Sequence, residues 1–335
     1  MRKFSKMKPA RKDYENELIS IICCSSGKGK TESLLVNIES TIGANYEKVI
    51  IDNSTNRYSI AEAYNLGVGK ASGNILCFCH DDIEFRSKDW GLAVTHHLQS
   101  FDVIGVSGNN SHPDCPSGWW IKTSGNRIYS HLWQQIDYSN PYISSMLRFS
   151  NAEIIDNKLR VQENCSKETN LVLTLDGFWM CFKREVFQHL RFDESLEGFH
   201  GYDIDICLQA YGQFKLAMVS NIEIVHYSAG NINTEWCLTS WKVYEKWKTY
   251  LPISIDKNAD LSIMTIVALF QFIIYLVDNN YTQKEIRDFT KTSFKMEMIR
   301  VDLKYFLYIW FSLRCSALFF NTIRKHYVRL KMPSR

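Results

Sequence analysis

Two adjacent carboxylates, Asp81 and Asp82, close the segment Gly73–Glu84 (GNILCFCHDDIE), directly after the apolar run Ile75–Phe78. A short apolar run of this kind reads as a buried strand of a parallel sheet. Open α/β sheets bind ligands beyond the carboxyl ends of their strands, so the two acids stand where a ligand would sit. Adjacent anions repel, and a divalent cation or a bound cationic group compensates them most simply. The alternative is a solvated loop or a helix N-cap. Further along, Asp203 and Asp205 lie at the start of a helix-like stretch, where the helix dipole alone favours acids. His226 follows the apolar Ile222–Val225, and a lone histidine at a strand end is commonly structural.

The elements that must carry these residues alternate. Leu18–Cys24 and Lys48–Asp52 read as strands, the second ending in an acid, with Asn53-Ser54-Thr55-Asn56 as a turn behind it. Helix-like spacing covers 32–41, 59–70 and 88–99, and Asp102–Ser107 reads as a fourth strand. Strand and helix in alternation predict an α/β, doubly wound, mostly parallel sheet with flanking helices. Residues 108–170 are rich in Asn, Ser, Gly and Trp and read as a long irregular loop, too polar for core, of the kind that is usually functional. The stretches 171–182, 203–211 and 215–225 complete the sheet region.

Beyond Pro252 the texture changes. Leu261–Val277 is an apolar run at the short limit for a membrane span, with Asp260 and Asp278 at its flanks, and Tyr305–Phe320 is a second run interrupted by Arg314. A core helix or a helical dimer interface is the expectation. The division is therefore a polar, basic tail at 1–17, a domain at 18–250 and a C-terminal helical appendage at 251–335.

A chain of 335 residues with 45% hydrophobic and 22% charged residues buries a full core. A net charge of +3, with no basic stripe interleaved with aromatics, argues against nucleic acid as a partner. Basic residues collect at the ends, Arg2 to Lys12 and Arg324 to Arg335, and would be drawn to an anionic membrane surface at about 1 kcal/mol per residue. Of the ten cysteines, Cys23, Cys24, Cys77 and Cys79 lie in or at the ends of strand-like runs, and none forms a Cys-x-x-Cys zinc spacing. With no apolar signal-peptide core at the start, the expected compartment is reducing and cytoplasmic.

Gly27-Lys28-Gly29-Lys30-Thr31 after a strand is a partial P-loop. That pattern needs a glycine five positions before Gly29, where this chain has Cys24, so a nucleotide triphosphatase is only the alternative.

A longer series fits better. Most of the first 250 residues resemble the GT-A glycosyltransferases of the family 2 type, within them a glycosyltransferase-like bacterial group. Cys24-Ser25-Ser26 looks like that family's entry to the nucleotide pocket. Asp52 and Asn53 resemble its second-strand acid segment, and Ala61–Gly73, with Asn65, resembles its Ala-x-x-x-Asn-x-Gly-x-x-x-Ala-x-Gly stretch. His80-Asp81-Asp82 falls where the family has Asp-x-Asp, His80 replacing the first acid. The resemblance implies Asp82 as first metal ligand and Asp81 as second candidate, with Mn²⁺ or Mg²⁺ stabilising a diphosphate leaving group. Tyr202-Asp203-Ile204-Asp205 resembles the family's Glu-Asp-x-Asp, Tyr202 standing for Glu, and implies Asp203 as catalytic base. His226-Tyr227-Ser228-Ala229-Gly230 resembles a His-x-Ser-x-Gly whose histidine can complete the metal site.

Trp119 and Trp120, if exposed, would stack on sugar rings, while the plain alternative is packing under a loop. Asp176 and Gly177 look like the acceptor-side loop, where the bland alternative is a turn. The implied function is inverting transfer of a sugar from a nucleotide-diphosphate donor to a glycan or lipid-linked acceptor. Location would be cytoplasmic, at the inner face of the membrane or in a homodimer. The non-enzymatic rival is a scaffold that kept the fold. Such a relative would be expected to lose Asp82 and Asp203, and both remain.

Overall fold

The computed structural model describes residues 17–27, 29–136, 152–228, 230–282, 284–286 and 289. The basic ends and the run Tyr305–Phe320 lie outside the described residues.

The first half alternates as its hydrophobic spacing requires. Strand β1 (Ile19–Ser25) leads to α1 (Lys30–Thr41), β2 (Tyr46–Asp52), α2 (Ile60–Lys70), β3 (Ile75–Cys79), β4 (Ile83–Phe85) and α3 (Trp90–His97). All five residues of β3 are buried, consistent with a strand covered on both faces. Helix α2 starts at a reciprocal cap, in which Glu62 N–H donates to Ser59 Oγ and Ser59 N–H donates to Glu62.

There follow β5 (Val103–Gly105), β6 (Ser107–Asn109), β7 (Ser111–His112), β8 (Ile128–Gln135), β9 (Ala152–Ile155), β10 (Lys158–Glu163), β11 (Thr169–Val172), β12 (Thr174–Leu175) and β13 (Trp179–Lys183). The chain continues through α4 (Tyr202–Ala210), β14 (Leu216–Val219), β15 (Ile224–His226), α5 (Thr234–Trp247), β16 (Ile253–Ser254) and α6 (Leu261–Asp278).

The main sheet has seven strands in the order β11-β14-β5-β13-β3-β1-β2. Strands β3, β1 and β2 are parallel neighbours, but β13 runs antiparallel to both β3 and β5. The expectation of an α/β, mostly parallel sheet with flanking helices holds in its parallel β3-β1-β2 half, while β13 and β11 pair antiparallel with their neighbours. Of the residues that complete this region, 203–211 form the helix their acidic start indicates, and 171–182 break into three short strands.

The largest correction concerns 108–170. Those residues contribute most of a second sheet, β12-β6-β8-β10-β9, which β15 joins by pairing with β8 and with β4. Polar residues occupy its interior because they satisfy one another. Asn109 Nδ2 donates to the carbonyls of Trp119 and Ile121, Asn126 Nδ2 donates to Asn109 Oδ1, and Ser107 and Ser130 hydroxyls share a bond of 2.7 Å. Buried polar groups are tolerated when paired, and these are.

The described part of the C-terminal region belongs to the same core. Strand β16 pairs with β7, and α6 buries Met264, Ala268, Leu269, Phe272, Ile273 and Leu276 in the cluster that holds Trp119, Trp120 and Trp236. Asp260 caps α6 by accepting from Ser262 and Ile263 N–H. The helix has mean hydropathy 2.1 over 18 residues, and 44% of it is buried. It is long and apolar enough to cross a membrane, and one of its faces is packed against the protein.

The polar interior of the second sheet makes a stability prediction. Asn109→Ala takes their partner from the Trp119 carbonyl and the Ser111 N–H, each worth about 1–3 kcal/mol when left unpaired, while the Ile121 carbonyl and the Asn126 amide keep their bond to each other. Urea unfolding should show a loss of about 2–4 kcal/mol. A loss under about 0.5 kcal/mol would mean that water replaces the side chain.

Candidate active site

The carboxyl ends of β1, β2 and β3 gather Ser25, Ser26, Asp52, Asn53, Asp81 and Asp82 at one edge of the main sheet. The two central acids divide their work. Asp81 turns to β1, where its Oδ2 accepts from Ser26 N–H at 2.6 Å. Asp82 turns the other way, to a half-buried triangle with His80 and His226. Asp82 Oδ1 is 3.9 Å from His80 Nδ1 and 3.6 Å from His226 Nε2, and the three donor atoms lie within 4.8 Å of one another. Asp82 Oδ2 is 3.7 Å from Lys30 Nζ, at the start of α1.

Each imidazole is held through its far nitrogen. His226 Nδ1 is 3.2 Å from Gln134 Oε1, a fully buried amide on β8 that itself donates to the carbonyls of His226 and Ser228. The His226 ring stacks on Phe178 at 4.7 Å, and its Nε2 is 3.0 Å from Ser228 Oγ. His80 Nε2 is 2.8 Å from the Tyr202 hydroxyl.

Burial sets the charge state of the triangle. It lowers His80, and it takes His226 down to about 4 in spite of Asp82, so both rings are neutral at pH 7 and carry lone pairs. Burial pushes Asp82 up, but at the acid pH where it titrates His226 and His80 begin to protonate, and with Lys30 and the Ser228 hydroxyl they hold the carboxylate below its usual value. Asp82 Oδ1 is buried and makes no hydrogen bond among the described residues. Two neutral imidazoles facing an ionised oxygen without a donor fit a divalent cation. Of the metal candidates, Asp82 and His226 come together, and the carboxylate of Asp81 is spent on Ser26.

A cavity of about 310 Å³ opens beside the triangle, lined by His80, Phe178, Tyr202, Asp203, His226 and Trp236 among others. Helix α4 places Asp203 there. Its N-cap, Gly201, sits at φ 73°, a conformation that glycine takes without strain, and Asp203 falls in the first turn. Burial is the main influence on Asp203 and pushes it up to about 6, against hydrogen bonds from the N–H groups of Ile204 and Gly177. Asp205, two residues on, faces away and is fully paired with Lys246, Trp247 Nε1 and Gln209. Asp176 and Gly177 line the same cavity.

Other candidates are placed differently from the expectation. Trp119 and Trp120 border the cavity, but at 2% and 9% exposure they are wall and core, not an open stacking platform. Asn65 lies on α2 with its amide tied to Phe192 O and Glu194, so it braces a neighbouring loop. Asn53 is buried and locks its own turn through Tyr58 N–H and C=O. Asp52 is exposed and accepts from Ser54 N–H, which lowers it. Ser25 Oγ is 2.7 Å from Thr31 Oγ1. Gln134 carries no motif that marks it in the sequence, while His80 is visible there as the residue replacing an acid, with nothing beside it to mark it as a donor.

The profile described as "Glycosyltransferase like family" matches residues 20–252, more than half of the chain, and the chain belongs to that family. Its architecture is α/β, a mixed seven-stranded sheet with helices and a second sheet beside it. No curated protein matches it. Among solved structures it is similar to GalNAc-T7 with UDP, GalNAc and Mn²⁺, at 11% identity and TM-score 0.44, over 79% of this chain and 58% of that one. It is also similar to residues 1–349 of S. aureus TarS, at 12% identity and TM-score 0.43, over 78% and 74% of the two chains. TarS in complex with UDP-GlcNAc aligns at 9% identity and TM-score 0.39, over 79% and 67%. The chain thus spans little more than half the length of the GalNAc-T7 chain.

Gly177 offers a steric test of this site. A methyl group there would collide with the Tyr202 hydroxyl and with Asp203 Cβ. Misplacement by about 1 Å can cost about 100-fold. Gly177→Ala should therefore lower kcat at least tenfold while circular dichroism is unchanged. Undiminished kcat would show that neither side chain needs its present position.

Proposed function

We propose that this protein is a metal-dependent glycosyltransferase that moves a sugar from a nucleoside-diphosphate donor to a hydroxyl of a glycan or lipid-linked acceptor, inverting the anomeric centre. One observation carries the reading: a cation-fitting triangle and a carboxylate with raised pKa face the same cavity. Family membership supports the reaction class.

In this reading the acceptor hydroxyl sits against Asp203. The carboxylate takes its proton as the oxygen attacks the anomeric carbon, and the bond from that carbon to the diphosphate oxygen breaks. His80, Asp82 and His226 would hold Mn²⁺ or Mg²⁺, which when bound would neutralise charge on the departing diphosphate. Lys30, at the start of α1, adds a positive group on the same side. Neutral histidines keep their lone pairs for the cation, while Gln134 and Tyr202 fix their orientation. The walls formed by Phe178, Trp119, Trp120 and Trp236 exclude water from the reacting face.

The proposal includes a reducing, cytoplasmic location, which the nine free described cysteines suit. It also includes contact of residues 251–335 with a second copy or with the inner face of a membrane.

Release of nucleoside diphosphate from a panel of nucleotide sugars, with and without Mn²⁺, tests the proposal. Asp82→Asn keeps the shape and removes the charge, so turnover should fall by orders of magnitude in a folded protein. Full activity of that variant in EDTA would contradict the metal reading.

Asp203 makes a paired prediction about rate and stability. As a base it must be ionised, so kcat should fall as pH drops through about 6. Its folded pKa lies above the unfolded value of roughly 3.9, so its charge costs stability that is fully felt above about pH 6 and relieved below. Asp203→Asn should abolish turnover, by about 10²–10⁴-fold, with Tm at pH 8 equal or higher than wild type. A lower Tm together with residual turnover would give this acid a structural role.

A further inference from the structure

The two positions at which this chain departs from the pattern it resembles, His80 for an acid and Tyr202 for Glu, touch each other. His80 Nε2 and the Tyr202 hydroxyl are 2.8 Å apart. We propose that Tyr202 is the positioning residue that makes His80 the third donor of the metal site, and that the resulting pair of imidazoles with one carboxylate selects first-row transition ions over Mg²⁺. The inference rests on the metal reading above and adds to it the class of cation and the residue that sets it.

A neutral imidazole has one lone pair to give, and the hydrogen bond made by the other nitrogen decides which one. Histidines that bind metals usually donate their far N–H to a fixed oxygen, which sets both tautomer and ring angle. With Nε2–H donated to Tyr202, His80 presents Nδ1, the atom 3.9 Å from Asp82 Oδ1. Gln134 does the same for His226 from the other side, so that Nε2 is the nitrogen facing Asp82 Oδ1 at 3.6 Å, where the Ser228 hydroxyl, 3.0 Å away, is the group a cation would displace.

Tyr202 is well suited to hold an angle. It is buried, with Tyr64 at 5.7 Å edge-on and Phe192 at 6.2 Å against its ring, and Gly177 leaves room for its hydroxyl and little more. A phenol there carries no charge at neutral pH, so it orients the ring without drawing its proton away. An acid at position 80 would give the site two carboxylates, the oxygen donors that Mg²⁺ prefers. Replacing one with imidazole moves preference toward Mn²⁺ and the later transition ions.

The experiment is direct Mn²⁺ binding to the full chain without nucleotide, read by the electron paramagnetic resonance of free Mn²⁺, with Mg²⁺ as competitor. Tyr202→Phe should weaken Mn²⁺ binding by about 10–100-fold. His80→Asp should reduce the preference for Mn²⁺ over Mg²⁺, and adding Tyr202→Phe to it should change Mn²⁺ affinity no further. Nitrogen-15 chemical shifts of the metal-free wild type should show the His80 proton on Nε2, a readout that needs no variant to fold. Wild-type affinity in Tyr202→Phe, an equal loss in both backgrounds, or a proton on His80 Nδ1 would overturn the inference and leave the metal reading standing. Failure of the wild-type chain to bind Mn²⁺ at millimolar concentration would overturn both.

Discussion

Asp82 is an ionised carboxylate, 11% exposed, at the end of a strand buried on both faces, and the site is organised around matching its charge. A charge withdrawn from water to this extent is costly unless paired. The side chain that would neutralise it outright, Lys30, stands 3.7 Å away and is half exposed. At similar distances, 3.6 and 3.9 Å, stand two neutral rings that contribute lone pairs of their own. Replacing one of them by a cationic side chain would satisfy the carboxylate, yet the surrounding packing holds two histidines in place, through Gln134 and Phe178 on one side and Tyr202 on the other. That arrangement fits a divalent cation, and in the proposed function a cation is what matches the charge.

The same geometry explains why two sheets are needed. Asp82 and His80 come from the end of β3 in the main sheet, while His226 comes from the end of β15 and Gln134 from β8 in the second. Pairing of β15 with both β4 and β8 carries His226 back over Asp82, and Tyr227 N–H donates to Asp82 O at 2.9 Å across that seam. Helix α4 supplies the facing wall. It puts Tyr202 against His80 and Asp203 into the cavity within two consecutive residues, so one helix start supplies both the triangle's neighbour and the cavity's carboxylate. Its stability comes from elsewhere along the helix, where Asp205 is locked by Lys246 and Trp247.

Much of this was legible in the residues because burial on both faces leaves a plain mark. The strands around 19–25, 46–52 and 75–79 are apolar runs, and the acids and histidine at strand or helix ends follow in the order of a known pattern. The second sheet was not legible. Hydropathy registers Asn109, Asn126, Ser107 and Ser130 as surface, whereas their polar atoms bond to one another and to backbone. Trp119 and Trp120 read as an exposed pair for a related reason: the helix that covers them, α6, lies about 140 residues later in the chain, and only the fold brings it over. Asn65 shows the limit of a motif, since its amide is committed to Phe192 and Glu194.

The central claim is that a cation sits between His80, Asp82 and His226 and shares a cavity with Asp203. Anomalous diffraction at the manganese absorption edge, from crystals grown with Mn²⁺ and a nucleoside diphosphate, tests it most directly. The account predicts one strong peak in contact with His80 Nδ1, Asp82 Oδ1 and His226 Nε2, with diphosphate oxygens completing its shell on the cavity side. A peak held by Asp81 or Asp52 instead, with His226 still bonded to Ser228 and Asp82 bare, would contradict it.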